Sequence, residues 1–184
     1  MNIQKLSKYL SYLLRHHPED ANLNMDKNGW VAVNELLSNT KGKFTMELLE
    51  EIVNTDNKSR YAFNEDKTKI RANQGHSIDG IDLELEEMIP PEILYHGTAT
   101  RFLNSIMKEG IKSQTRNHVH LSKDLETAIT VGLRHGDAVI LKIDTKKMNE
   151  DGHKFYLSKN GVWLTNYIDT KYIIDDKDRI IYKK

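Results

Sequence analysis

Cysteine is missing from all 184 residues. Its absence excludes disulfides, cysteine-ligated zinc and thiol nucleophiles, and with them the disulfide-built secreted scaffold. A reducing, intracellular setting fits. No stretch approaches the roughly 20 apolar residues of a membrane span, and the opening MNIQKLSKYLSYLLRHHPED holds no apolar run of signal-peptide length. The expectation is a soluble, cytoplasmic chain. Neither charge is in excess, 27 Lys+Arg standing against 27 Asp+Glu, so an anionic partner must be met by a local patch rather than a uniformly basic surface. Rossmann and Walker glycine signatures are absent, which leaves a hydride enzyme or a P-loop nucleotidase without support.

What is present reads as two small lobes. Residues 1–90 hold 11 Lys+Arg and 15 Asp+Glu, whereas 91–184 hold 16 and 12. Between them Asp79, Asp82, Glu84, Glu86 and Glu87 run without a base to Pro90-Pro91, the pattern of a hinge. In the first half Ile3, Leu6, Leu10, Leu13 and Leu14 recur at helical spacing, and Pro18 stops the helix because it has no amide to donate. Two further helical patterns follow, over Val33–Leu37 and Leu48–Val53. Arg60–Phe63 and Lys69–Ala72 then flank a polar turn as a hairpin. Three helices and a hairpin is the order of a winged helix. In the second half short strands alternate with helices: a strand at Ile93–His96 breaking at Gly97-Thr98, a helix using Phe102, Leu103, Ile106 and Met107, and a strand at His118–Leu121. Ser122 is expected to N-cap a helix over Leu125–Arg134, followed by a buried strand at Ala138–Ile143, a hairpin around Ser158-Lys159-Asn160 and a last strand at Arg179–Tyr182.

Four clusters concentrate polar groups that a fold alone does not demand: Arg15-His16-His17, Arg71–Ser77, Tyr95-His96-Gly97-Thr98 and Arg116–Ser122. Each has a bland reading. Arg15 at a helix C-terminus complements the helix dipole. Arg71, by strand alternation, faces solvent. His96 at a strand end is an ordinary packed or exposed histidine, and the glycine beside it lets a ligand approach the backbone. His118-x-His120 places two rings on one strand face, but no third ligand stands at a convincing spacing, so no metal is expected. Taken together the arginines point to phosphate, which planar guanidinium forks grip bidentately while staying charged.

In this order the clusters resemble the RNA 2'-phosphotransferase family, NAD-dependent enzymes that remove the splice-junction 2'-phosphate of tRNA. The matching segments are Leu6-Ser7-Lys8 through Leu14-Arg15-His16, Gly29-Trp30-Val31, Ile70–Ser77, Leu94–Thr98, His118–Ser122 and Asn160–Leu164, and they span nearly the whole chain. The resemblance implies an α+β protein with a winged-helix RNA-binding lobe over 1–88 and an NAD-binding lobe of the ADP-ribosyltransferase fold over 89–184. By motif it assigns Arg15, His16, Arg71 and Arg116 to the phosphate. It assigns His96, Gly97, Thr98, His120 and Ser122 to NAD.

The implied reaction has two steps: the RNA 2'-phosphate displaces nicotinamide from NAD, and a ribose hydroxyl of the ADP-ribose then attacks that phosphorus. RNA leaves with a free 2'-hydroxyl, together with ADP-ribose 1'',2''-cyclic phosphate. The first step needs positioning more than a general base, since the leaving group is cationic and the nucleophile already anionic. Residues 152–168 contain no Asp or Glu, whereas many protein-modifying relatives of that fold carry a catalytic glutamate near there. The implied partners are a 2'-phosphorylated, tRNA-like RNA and NAD, without metal or membrane, and the implied state is a monomer. Two other classes stay open: ADP-ribosyl transfer to a terminal phosphate or a protein without the second step, and a winged-helix binder with a ligand-sensing second lobe.

Overall fold

The computed structural model describes residues 2–184. It is a mixed α+β chain made of two compact units, one reaching Leu85 and the other starting at Glu86.

The first unit is organised by α1 (Ile3–Arg15). The helix begins where Asn2 Oδ1 accepts the Gln4 amide at 2.9 Å, and its Leu6, Leu10, Leu13 and Leu14 are all buried. Each buried leucine contributes about 1.5–3 kcal/mol of transfer free energy, so this stripe anchors the helix. It packs with Leu36 of α2 (Val33–Asn39), Leu49 and Ile52 of α3 (Met46–Thr55), and Ile70. Three antiparallel strands complete the unit, with β3 (Lys69–Ala72) between β1 (Val31–Ala32) and β2 (Tyr61–Phe63). The register sets Ile70 opposite Val31 and Arg71 opposite Ala62. The β2–β3 turn is tied by Asn64 Oδ1, which accepts the Lys69 amide at 2.7 Å.

The second unit opens with β4 (Glu86–Glu87), the edge of a four-stranded antiparallel sheet in which it is followed by β9 (Tyr156–Leu157), β10 (Trp163–Thr165) and β7 (Val119–Leu121). The end of the acidic stretch is thus strand, and an edge is where charged side chains are tolerated. Glu87 also pairs with Lys154 at 3.4 Å. Next come β5 (Ile93–Ala99), α4 (Leu103–Glu109), β6 (Ile111–Lys112), β7 (Val119–Leu121) and α5 (Leu125–Leu133). The chain ends through β8 (Ala138–Asp144), α6 (Thr145–Glu150), β9 (Tyr156–Leu157), β10 (Trp163–Thr165), β11 (Tyr167–Ile168) and β12 (Ile181–Tyr182). A second sheet orders β12-β8-β5, and β11 pairs with β6.

The cap of α5 differs from the sequence expectation. Asp124, not Ser122, is the N-cap, its Oδ1 accepting the Thr127 amide at 2.7 Å, because Ser122 is held instead in a backbone bridge to Tyr95. Among the described residues no helix is long and apolar enough to cross a membrane.

Candidate active site

In the first unit the polar residues gather where α1 ends. Arg15 is its last residue and His16 its C-cap. The loop leaving β3 folds over this end: the Ser77 amide donates to the Arg15 carbonyl at 3.0 Å, and Ser77 Oγ and His16 Nδ1 are hydrogen-bonded at 2.8 Å. Gly75 sits so close to Arg15 that a Cβ there would lie 3.5 Å from the guanidinium carbon, on a backbone at φ +89°. The loop's start is tied down by Asn73, whose amide donates to the Arg60 carbonyl at 2.7 Å and whose Nδ2 donates to the Ser59 carbonyl at 2.6 Å.

Arg71 is not the solvent-facing residue that alternation alone predicts. Its strand is central in the sheet and its side chain lies along the Trp30 ring, the guanidinium carbon 4.4 Å from the centroid, so only 5% of the residue is exposed. Nη1 donates to the Asn28 carbonyl at 3.2 Å, while Nε is buried without a partner. The segment offering that carbonyl and that ring is organised by Asp26, whose Oδ1 accepts the amides of both Asn28 and Trp30 at 3.0 Å. Burial lowers the Arg71 pKa, partly offset by the fields of Glu84 and Asp26. A buried cation held by a carbonyl and a ring face, with no ion pair among the described residues, is short of its counter-charge.

His76 lies beside these cations and is 2% exposed, with neither ring nitrogen partnered. Burial, and then the positive fields of Arg15, His16 and Arg71, push its pKa down to about 4. It is therefore a neutral ring at pH 7, filling space among guanidinium groups without adding charge.

In the second unit His96 on β5 reaches the middle of β7. Its Nδ1 lies 3.1 Å from the His120 carbonyl oxygen, and because a carbonyl only accepts, Nδ1 carries the hydrogen and Nε2 keeps a lone pair. Burial lowers the His96 pKa and keeps the ring in that neutral form. Arg116 Nη1 donates to His120 Nδ1 at 3.0 Å, which fixes the neutral His120 hydrogen on Nε2. Arg116, His120 and His96 thus form one chain of hydrogen bonds. Ser122 joins through the backbone, its amide donating to the Tyr95 carbonyl at 2.8 Å.

Gly97 and Thr98 face elsewhere. The close approach at Gly97 is made by α5, since a Cβ there would lie 1.8 Å from the Ala128 carbonyl oxygen. Thr98 is buried with its backbone against Gly132 of the same helix. Arg101 stacks on the Phe102 ring, 4.7 Å from its centroid, and takes no part in the chain from Arg116 to His96. His118 meets the Tyr156 ring edge-on at 6.0 Å. No group of three or more His, Asp or Glu is placed to hold a metal among the described residues.

Two residues of this site, His76 and Ser77, lie in a segment that sequence reading singles out without giving either a role. The one signal for them is a polar loop that leaves a strand directly after Arg71.

Comparison with known proteins gives a consistent result. The family model described as RNA 2'-phosphotransferase, Tpt1 / KptA family, matches residues 1–167. A protein of Fusobacterium nucleatum is 55% identical over 94% of this chain and 98% of its own length. One from Flavobacterium johnsoniae is 53% identical over 94% and 96%, and one from Pectobacterium atrosepticum is 47% identical over 91% and 95%. All three carry the name Probable RNA 2'-phosphotransferase. With a match that covers both units and both polar clusters, the chain belongs to the RNA 2'-phosphotransferase, Tpt1 / KptA family.

Proposed function

We propose that this protein removes an internal 2'-phosphate from RNA by transferring it to NAD in two steps. The observation that carries the reading is Arg71, a cation buried against Trp30 with an unpartnered Nε and no ion pair among the described residues, close enough to Arg15 and His16 for all three fields to act on His76. Such a corner suits a multiply charged anion. The family name gives the anion's identity as an RNA 2'-phosphate.

In this reading Arg15, His16, Arg71 and Arg116 act on the phosphate, and His96, His120 and Ser122 form the NAD-binding set, while Gly97 and Thr98, which pack against α5, support the strand that carries His96. The second unit's chemistry fits NAD as co-substrate: a neutral His96 with its Nε2 lone pair held ready accepts a hydrogen bond from a ribose hydroxyl. First, a 2'-phosphate oxygen bonds to the anomeric carbon of the nicotinamide ribose as the carbon–nitrogen bond breaks, and nicotinamide leaves with the electron pair. Second, the adjacent ribose hydroxyl oxygen bonds to phosphorus while the bond from phosphorus to the RNA 2'-oxygen breaks. The proton lost by that hydroxyl is balanced by one gained at the RNA 2'-oxygen. The products are RNA with a 2'-hydroxyl, nicotinamide and ADP-ribose 1'',2''-cyclic phosphate. The guanidinium groups stabilise the extra charge at phosphorus in the second step, and His16 supplies a hydrogen bond or a proton to an oxygen there.

The fold assignment belongs to the same proposal. The order helix, strand, helix, helix and two-stranded hairpin in the first unit supports a winged-helix RNA-binding lobe, and the second unit is read as an ADP-ribosyltransferase lobe. The lobes are proposed as the two units, with the sequence boundary of 1–88 and 89–184 moved to 85/86 because Glu86–Glu87 pairs with β9, in a cytoplasmic monomer acting on tRNA-like RNA without metal.

The test is incubation with an RNA carrying one internal 2'-phosphate, with and without NAD, and product identification by mass. The expected result is a 2'-hydroxyl RNA with ADP-ribose cyclic phosphate only when NAD is present. Stalled ADP-ribosylated RNA would make the protein a transferase of the first step alone, and intact RNA with intact NAD would overturn the reading.

A further inference from the structure

The same helix that ends at Arg15 borders a cavity none of the above uses. It has a volume of about 500 Å³ and lies between the N-terminal half of α1, the end of α3 and the start of β2. Its polar lining includes Ser7, Lys8, Ser11, Asn57, Arg60 and Tyr61. At 100° per residue, Ser7, Ser11, Arg15 and Lys8 fall within one polar arc of α1, which borders the leucine stripe. The cavity and the phosphate corner are thus two stations on one helix face. At 1.5 Å of rise per residue, Lys8 is about 10 Å along the axis from Arg15. A stacked strand advances about 3.4 Å per nucleotide, so that spacing is crossed by about three nucleotides.

The lining is rich in donors and unevenly charged. Asp56 is the single carboxylate in it, and it is already committed: its side chain is 4% exposed, paired with Arg60, and accepts the Arg60 amide at 2.5 Å. Arg60 keeps 30% of its side chain exposed. Tyr61 spends its hydroxyl hydrogen on the Ser7 carbonyl at 2.6 Å, so at the 3.1 Å contact between the hydroxyls Ser7 is the donor. Lys8 is exposed and pairs with no carboxylate among the described residues. What remains available to a ligand is an unpaired ammonium, the outer face of a guanidinium, and the Ser11 and Asn57 groups.

We propose that this cavity is a second phosphate subsite, taking a backbone phosphodiester of the RNA strand within a few nucleotides of the reacting 2'-phosphate. The proposal rests on the RNA reading of the phosphate corner, and its consequence is that longer RNA binds better than an isolated nucleotide. Lys8 supplies the charge, Arg60 a second cation fixed by Asp56, and Ser11 a hydroxyl donor.

The experiment measures fluorescence-anisotropy binding of a labelled oligoribonucleotide without any 2'-phosphate to the full chain, across a salt series. Because no turnover is needed, the result stands whether or not the protein removes 2'-phosphates, and failure of either idea is separately visible. Lys8→Ala is expected to weaken binding about three- to tenfold at low salt and to lower the salt slope by about 0.7, the value for one single-strand phosphate contact. Lys8→Glu is expected to weaken it further. Lys5→Ala is the control, because it removes the same charge from the same helix outside the cavity lining. Lys8 is exposed, so neither variant threatens the fold. Equal losses in Lys5→Ala and Lys8→Ala, or wild-type affinity and slope in Lys8→Ala, would overturn the subsite.

Discussion

His76 ties the stability of the first unit to pH in a way that can be worked out beforehand. An unfolded histidine titrates near 6.5, whereas in the folded unit His76 stays neutral down to about 4. A depressed histidine pKa means that the unfolded chain takes up the proton first, so folding loses free energy as pH falls from 6.5 towards 4. The full difference is about 2.5 pH units at 1.36 kcal/mol each, or about 3 kcal/mol, of which about 2 is lost by pH 5. Carboxylates such as Asp26 and Asp66 act in a separate window: their folded pKa values are lowered, so the stability they give is present above about 4 and lost below it. The perturbation is His76→Leu, which removes the titrating group and two buried unpartnered nitrogens. In a Trp163→Phe background Trp30 is the one remaining indole and reports the first unit during urea unfolding. With a slope of about 1 kcal/mol per molar for a unit of this size, the wild-type midpoint should fall by about 2 M between pH 8 and pH 5, and that of His76→Leu should fall far less. Parallel pH dependence in the two proteins, or an NMR titration of His76 centred near 6.5, would refute the reasoning.

Arg71→Met should be at least as thermostable as the wild type without ligand, since it removes a buried cation lacking its counter-charge, yet it should lose the stabilisation that the wild type gains from inorganic phosphate; a fall of many degrees in Tm would count against it. With 2'-phosphorylated RNA and NAD, Arg71→Ala should accumulate ADP-ribosylated RNA, seen by mass, because the second step needs the guanidinium more than the first. Ser77→Ala removes the hydroxyl on His16 Nδ1 and should lower kcat about tenfold and move its pH profile, while Ser77→Thr restores part of both; an unshifted profile would reduce Ser77 to packing. Gly97→Ala should destabilise the second unit by more than 3 kcal/mol in urea, because its Cβ meets backbone rather than a flexible side chain.

How far the sequence reveals this molecule depends on the range of the interaction in question. Helix α1, the β2–β3 hairpin and the β9–β10 hairpin are legible because leucine spacing and turn chemistry act within a few residues. The cap of α5 is misread because Ser122 and Asp124 are both good caps, and the choice between them is made by a partner 27 residues away, the Tyr95 backbone. Gly97 is misread for the same kind of reason: nothing local says that a helix thirty residues downstream will cross that backbone. At the site, the residue types were visible and their states were not. Strand alternation puts Arg71 on the face away from Ile70, but only Trp30 and the loop after β3 turn that face from solvent into interior. His76 and Ser77 acquire roles only when that loop folds over the end of α1.

The first unit sustains a cationic corner by dividing the cost among weak, geometrically fixed partners. The helix end contributes partial negative charge beside Arg15 and His16, and the Trp30 ring and Asn28 carbonyl do the same for Arg71. A carboxylate would hold any of these cations more tightly, but an arriving phosphate would then have to displace it. Asp26 shows how the fold avoids that: it organises the Asn28–Trp30 segment through backbone amides and pairs with Lys69 at 3.4 Å, so its charge steadies Arg71 from a distance without occupying the guanidinium fork. A neutral His76 completes the arrangement, since a charged ring there would add repulsion and a carboxylate would quench the field. Four buried leucines on the reverse face of α1, at about 1.5–3 kcal/mol each, offset what the corner costs. It follows that introducing a carboxylate at the corner, as in Ser77→Asp, should raise thermal stability while abolishing phosphate-dependent stabilisation. A variant that gained no stability would show that the cations are already satisfied.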